Sequence, residues 1–242
     1  NERPDNEGLE VTLVDPAAPG DAPEAPAEVR VSTFRLVATL AVAGALAGLL
    51  IVLVNLHTKP IIDEYRAEQL RLAVYEVLPG VANYRTLYRV DDVLVSEVPA
   101  GAKESDFRQA YVGYDEDGEL VGAAVSRGES GFADVVLVIF GFEPDTGILL
   151  GKKVLESKET PGLGDKIFKD LDFVQQFFDR PQTPLTAVKE GTGKGLPGEI
   201  DAITGATISS KVVVSIINNG VADWRPLLQQ IDLGPVTPEE AP

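Results

Sequence analysis

Cysteine and methionine are absent from this sequence, histidine occurs once, and basic residues are few beside acidic ones. Without cysteine the chain forms no disulfide, no thiolate zinc site and no cysteine-ligated iron–sulfur cluster. That absence is compatible with any redox compartment, so it does not locate the protein. With only His57 available, Ser-His-Asp and Cys-His catalysis are excluded unless that one residue supplies them. His57 closes an apolar run, where a membrane-interface position is the simpler reading. Asp and Glu number 38 against 21 Lys and Arg, a net charge of −17. Nucleic-acid phosphates need cationic neutralisation that such a surface lacks, so no nucleic-acid partner is expected. The same acidity suits a soluble face that resists self-association. Methionine is missing even from position 1, and an upstream extension of the natural chain is expected.

What is present divides the chain. Residues 1–30 are rich in Pro, Ala and acids without periodic apolar positions, and read as a disordered acidic tail. "LVATLAVAGALAGLLIVLVNL", Leu36 to Leu56, carries no charge. At about 1.5 Å per residue it is long enough to cross a hydrocarbon core of about 30 Å. A cleavable signal would be shorter and would follow a basic segment, so one transmembrane helix over 31–58 is expected. Ala43, Gly44, Ala47 and Gly48 would let a neighbouring helix approach closely. Arg30 and Arg35 before the span, and Lys59, Arg66 and Arg71 after it, leave the orientation undecided.

Beyond the span, "KPIIDEYRAEQLRLAVYEVLPG" reads as a separate amphipathic helix starting at Pro60 and stopping at Pro79-Gly80. Two hairpins follow, one turning at Asp117-Gly118 and one near Pro144 to Gly147. "DEDGE" lacks the aspartate spacing of a calcium loop, and no metal site is expected. "KIFKDLDFVQQFFD" reads as helix, "PLTAV" as a short strand, and a last helix runs from Ile208 to Asn218. Antiparallel hairpins with segregated helices make the fold class α+β: a soluble domain over 59–235, and a short disordered tail over 236–242.

Two glycine-rich patterns carry no chemistry. "GTGKG" fails the phosphate-loop spacing, because Gly195 follows Lys194 and Val188 stands where the first glycine should be. Gly193, Gly195 and Gly198 match a dinucleotide fingerprint, but Pro197 lies inside it and no βαβ unit follows. A loop beside a functional cleft is the reading kept. "DAITGAT", Asp201 to Thr207, is different: a side-chain-poor turn leading into a helix. Gly205 permits unusual dihedrals, Ala206 keeps bulk away, and Thr207 presents a hydroxyl near the helix N-terminus. Free amides there favour an anion such as phosphate, yet an ordinary N-cap uses the same residues.

As a pattern, these residues resemble the D-x-x-(S/T)-G-A-T signature on which a flavin transferase esterifies flavin mononucleotide (FMN) to the last threonine. Average residue frequencies give it by chance in such a chain on the order of once in 10³. "ETPGLGDKI", Glu159 to Ile167, resembles the loop of the FMN-binding subunits of Rnf and Nqr electron-transport complexes. Its "GLGDKI" is more similar to the G subunit of Rnf than to the C subunit of Nqr. The resemblance implies FMN held by a phosphoester to Thr207, with Asp201 and Thr204 as recognition residues beside Gly205 and Ala206. It implies a loop of Thr160, Gly162, Leu163 and Gly164 packed near the flavin, whose other reading is a tight turn after a strand. Lys211 could help a phosphate or face solvent. It further implies an electron-transfer subunit of an ion-transporting ferredoxin:NAD oxidoreductase, anchored in the cytoplasmic (inner) membrane. The soluble domain would lie on the periplasmic or extracellular side, with other membrane subunits as partners and a flavin transferase needed for maturation. The C subunit of a sodium-pumping NADH:quinone reductase and a flavin-free anchored scaffold stand as alternatives.

Overall fold

The computed structural model describes residues 32–178, 181 and 183–234. The expected tails, 1–30 and 236–242, lie outside the described residues. The chain falls into two units, one ending at Thr58 and the other starting at Lys59. Helix α1, Thr33–Val77, supplies both with residues. Its apolar stretch is long and apolar enough to cross a membrane, and none of that stretch is buried in the protein.

Two helices were expected here, and one is found. Pro60 lies inside α1 without ending it. A proline removes one backbone bond and crowds the preceding turn, at about 3 kcal/mol. That is a local cost, and the residues on either side keep their own i→i−4 bonds. The C-terminal end of α1 is also held by packing: Ala73, Val74 and Val77 are fully buried.

The second unit is built on a six-stranded antiparallel sheet in the order β2-β1-β3-β4-β5-β6. Its strands are β1 Asn83–Val90, β2 Val93–Val95, β3 Arg108–Tyr114, β4 Leu120–Ser130, β5 Val135–Phe142 and β6 Leu149–Glu156. The β3–β4 hairpin turns where the Asp115 carboxylate accepts from the amides of Asp117 and Glu119, both at 2.9 Å. The β5–β6 hairpin closes through Gly147 N–H donating to the Glu143 carbonyl at 2.8 Å. Both faces of the sheet are covered near its centre, where β5, the first half of β4 and the end of β3 read as nearly continuous apolar runs. The end of α1 with Leu78 packs on Tyr111, Ala124, Ile139 and Leu150. On the other face Phe140 and Phe142 meet the long helix α4, Thr207–Leu228.

That helix runs nearly three turns further at its C-terminal end, to Leu228, than its sequence suggested. Asn218-Asn219-Gly220 looks like a stop signal and is instead a packing surface. The Asn218 amide brackets the backbone of Leu185, donating at 2.8 Å and accepting at 2.6 Å. Gly220 lies against the Phe140 ring, where a Cβ would stand 2.3 Å from Cζ. Beyond them Val221, Trp224 and Leu228 continue the buried stripe.

"KIFKDLDFVQQFFD" forms two short helices, α2 Lys166–Lys169 and α3 Leu171–Gln175, rather than one. Asp170 divides them because its carboxylate caps the second helix, accepting from Phe173 N–H at 3.2 Å. Strand β7, Thr186–Lys189, pairs in parallel with β8, Glu199–Ala202, where the glycine-rich sequence predicts loop.

Candidate functional site

Two connections meet at one end of α4. The first runs from β6 to α2 and contains Glu159 to Asp165; the second runs from β8 into α4 and contains Ile203 to Ala206. Between them is a cleft of about 320 Å³. Thr160, Leu163 and Gly164 line it from the first connection; Gly205, Ala206 and Thr207 line it from the second side. Residues far apart in sequence therefore share one wall-to-wall space.

The turn before α4 is fixed tightly. Ala206 N–H donates to the Ile203 carbonyl at 3.0 Å, and Gly205 takes φ +85°, as the third residue of a type II turn requires. The Ser210 hydroxyl donates to the Ala206 carbonyl at 2.9 Å and accepts from Ile203 N–H at 3.1 Å. Ala206 is the N-cap residue and has no side chain that could cap the first amides of α4. Thr207 comes next, exposed, with its hydroxyl only weakly held by the Ile203 carbonyl at 3.5 Å. Thr207 is thus not a helix cap. It offers an exposed, weakly held alcohol at the positive end of a 22-residue helix.

The opposite wall hangs on a residue that the sequence alone does not single out. Glu159 is buried, and its Oε1 accepts from the amides of Phe132 at 2.7 Å and Ala133 at 3.1 Å. Its Oε2 accepts from the Ser209 hydroxyl at 2.7 Å, so one carboxylate joins the β4–β5 bend, the cleft loop and the first turn of α4. Gly164 must be small: a Cβ there would stand 2.4 Å from Glu159 Oε2. Gly162 takes φ +78° and donates its amide to Asp165 Oδ1 at 2.7 Å. The Lys169 ammonium, 2.6 Å from Asp165 Oδ2, holds that carboxyl below the ordinary carboxylate range, and the Gly162 amide adds to the effect. Gly162 shapes the loop without lining the cleft.

Around the mouth three large apolar side chains stay open to solvent: Phe132 at 68% exposure, Leu163 at 50% and Ile208 at 54%. Neither Phe132 nor Ile208 was expected from the sequence. A lone aromatic after Ser130-Gly131, at the bend of a hairpin, was the available signal for Phe132. The cleft accordingly offers an apolar rim and, at its floor, an alcohol beside uncapped amides. That combination fits a planar ring carrying a phosphate.

Asp201 and Thr204 are directed elsewhere. The Thr204 hydroxyl donates to Glu190 Oε2 at 2.6 Å, away from the cleft. Asp201 N–H donates to the Gln176 side chain at 2.6 Å, while its Oδ1 is buried without a hydrogen-bond partner among the described residues. Asp201 lines a separate recess of about 330 Å³ together with Asp170, Asp172 and Glu190.

A family model described as FMN-binding domain matches residues 131–222, which include both connections and most of α4. The G subunit of the Na(+)-translocating ferredoxin:NAD(+) oxidoreductase complex of Acetobacterium woodii is 33% identical over 198 residues, covering 80% of this chain and 92% of that one. The G subunit of the ion-translocating oxidoreductase complex of Methanosarcina acetivorans is 32% identical over 187 residues, covering 77% and 92%. Among solved structures, NqrC of Shewanella oneidensis superposes with a TM-score of 0.60 over 69% of this chain and all of that one, at 16% identity. The last likeness speaks for the fold alone.

Proposed function

The chain belongs to the family of G subunits of ion-translocating oxidoreductase complexes, and on that premise we propose that it is the FMN-carrying electron-transfer component of an Rnf-type ferredoxin:NAD oxidoreductase. The apolar N-terminal part of α1 anchors it in the cytoplasmic membrane. The domain from 59 to 235 works on the outer side, beside the other membrane subunits. A flavin held by an ester there cannot be lost by dissociation far from the cytosolic pool.

Thr207 is the proposed attachment residue. In maturation its oxygen bonds to the flavin-side phosphorus of FAD, the phosphoanhydride bond breaks, AMP leaves, and the hydroxyl proton passes to the transferase. The first amides of α4, which no side chain caps, would hold the phosphoryl group. Phe132, Leu163 and Ile208 exclude water from the ring, and Gly164 and Gly205 keep side chains out of its way. Bound FMN supplies the one- and two-electron chemistry; the protein supplies position and electrostatics.

One observation carries this reading: the two motif-bearing connections converge on one cleft with Thr207 exposed at an uncapped helix start. The scaffold alternative reads the Thr204 to Thr207 turn as merely a helix cap; the N-cap residue, Ala206, makes no side-chain cap bond, which favours the flavin reading. The Nqr alternative is not adopted, because the Acetobacterium woodii and Methanosarcina acetivorans relatives are both G subunits.

The test is intact mass and in-gel fluorescence of denatured protein co-expressed with a flavin transferase. Wild type should gain the mass of FMN less water and fluoresce, and Thr207→Val should do neither. An unmodified wild type, beside a control substrate that the same transferase labels, would end the proposal.

A further inference from the structure

Strand β6 carries two adjacent lysines, and strand alternation sends them to opposite faces of the sheet. Lys153 turns toward α1 and pairs with Glu76 at 2.6 Å. Lys152 enters the core and is only 2% exposed. Its Nζ donates to the Ile167 carbonyl at 2.6 Å and lies 5.3 Å and 5.0 Å from the ring centroids of Phe173 and Phe177. It forms no ion pair among the described residues. A buried ammonium in such surroundings is expensive, and leucine or methionine would fill the volume without that expense. Burial pushes the amine down to about 7, against a weaker pull from Glu76.

The groups it touches are mechanically connected to the cleft. Ile167 lies three residues after Gly164, in α2; Phe173 lies in α3 and Phe177 just past its end. One nitrogen therefore spans the whole segment that follows the cleft loop. We propose that Lys152 is a positioning residue for the cleft: through Ile167 and the Phe173–Phe177 pair it seats α2 and α3, and with them the Thr160–Asp165 wall, and protonation of its amine loosens that seat. The role rests on the reading of the cleft as the flavin site.

Charged groups on the elements packed around Lys152 are otherwise engaged or face water. On α1 Glu76 pairs with Lys153. On α2 Lys169 pairs with Asp165, and Lys166 is partly exposed. Asp170 caps α3, and Asp172 is exposed. The direction of the effect follows from linkage. The amine has its ordinary value near 10.5 when unfolded and about 7 when folded, so between the two the unfolded chain holds the extra proton. The seat gains stability as pH rises through that window and bears the full penalty below about 7. The neutral amine still donates to Ile167, so the contact survives where the charge does not.

The absence of cysteine makes the test direct. Full-length protein in lipid nanodiscs carries a nitroxide at Leu171→Cys, a site 79% exposed at the start of α3, or in a second sample at Leu163→Cys in the cleft wall. Spectra are taken from about pH 5.5 to about pH 9 with Lys152 present, in Lys152→Met, and in Lys152→Gln, which keeps a donor but does not titrate. With Lys152 present both labels should become more mobile as pH falls from about 9 to about 7 and level off below that; both should stay immobile throughout in Lys152→Gln, and Lys152→Met, where it folds, should also be independent of pH. A pH response that persists in Lys152→Gln, or none with Lys152 present, overturns the proposal. A response at Leu171 without one at Leu163 overturns the link to the cleft. The labels read the seat without any cofactor, so this result and the Thr207 modification can fail separately.

Discussion

Replacing Glu159 with alanine should be the most informative single change in the cleft. The carboxylate receives three hydrogen bonds, two from backbone amides and one from Ser209. Ser209 is only 2% exposed, so its hydroxyl loses its acceptor in a dry place, at about 1–3 kcal/mol. Phe132 and Ala133 sit at the open mouth, where water can replace the lost acceptor, so each amide costs less, about 0.5–1 kcal/mol. The sum is about 3 kcal/mol, or a fall in Tm of about 6–12 °C for a domain of this size. Glu159→Gln keeps an oxygen for the two amides, and the Ser209 hydroxyl can turn to accept from the new NH2. It should therefore lose less than about 1 kcal/mol. Thermal unfolding followed by circular dichroism in nanodiscs measures both, and the yield of flavin-modified protein should fall with the alanine variant alone. Equal melting temperatures for wild type and Glu159→Ala would refute the reasoning. Equal losses for alanine and glutamine would show that charge, not the three-way connection, is what matters.

Gly220→Ala should destabilise by about 1–3 kcal/mol in chemical denaturation, despite alanine's better helix propensity, because its Cβ would meet the Phe140 ring at 2.3 Å; a more stable variant would disprove the close approach. Burial pushes the Glu129 carboxyl up, but hydrogen bonds from Asn219, Ser215 and Arg127 outweigh it and hold the pKa below the ordinary value near 4.5. Its contribution is therefore present above that ordinary value and lost as pH falls through the depressed one, and Glu129→Gln should flatten the acid limb of a stability–pH curve. Thr204→Val removes one exposed bond to Glu190 and should change stability by less than about 1 kcal/mol. It should nevertheless lose flavin modification, and a variant modified at the wild-type rate would remove Thr204 from recognition.

The parts of the fold that were legible in the sequence are those whose causes are local. Asp117-Gly118 and the Pro144 to Gly147 bend announce their hairpins because turn chemistry sits in a few adjacent residues. What escaped depends on a distant partner. Strand β8 has one apolar residue in mid-strand, Ile200, and exists because β7 lies beside it. The length of α4 depends on Leu185 and Phe140, which turn Asn218 and Gly220 from stop signals into contacts. Asp170 splits one expected helix into two through a single side-chain bond, which a periodicity reading passes over.

The site shows the same division within a single motif. Gly205, Ala206 and Thr207 were legible as a crowded turn and face the cleft, whereas Asp201 and Thr204 belong to the same signature and point to the acidic side. Local geometry explains the split. Ile203 to Ala206 reverse the chain between strand and helix, so residues before and after Gly205 leave on different sides. Under the proposed attachment, the face toward the cleft would hold the cofactor and the other would be open to recognition during maturation. Glu159 stayed hidden for the opposite reason. A carboxylate is read as surface until the amides of Phe132 and Ala133 and the Ser209 hydroxyl are seen to converge on it, and none of those donors is near it in sequence.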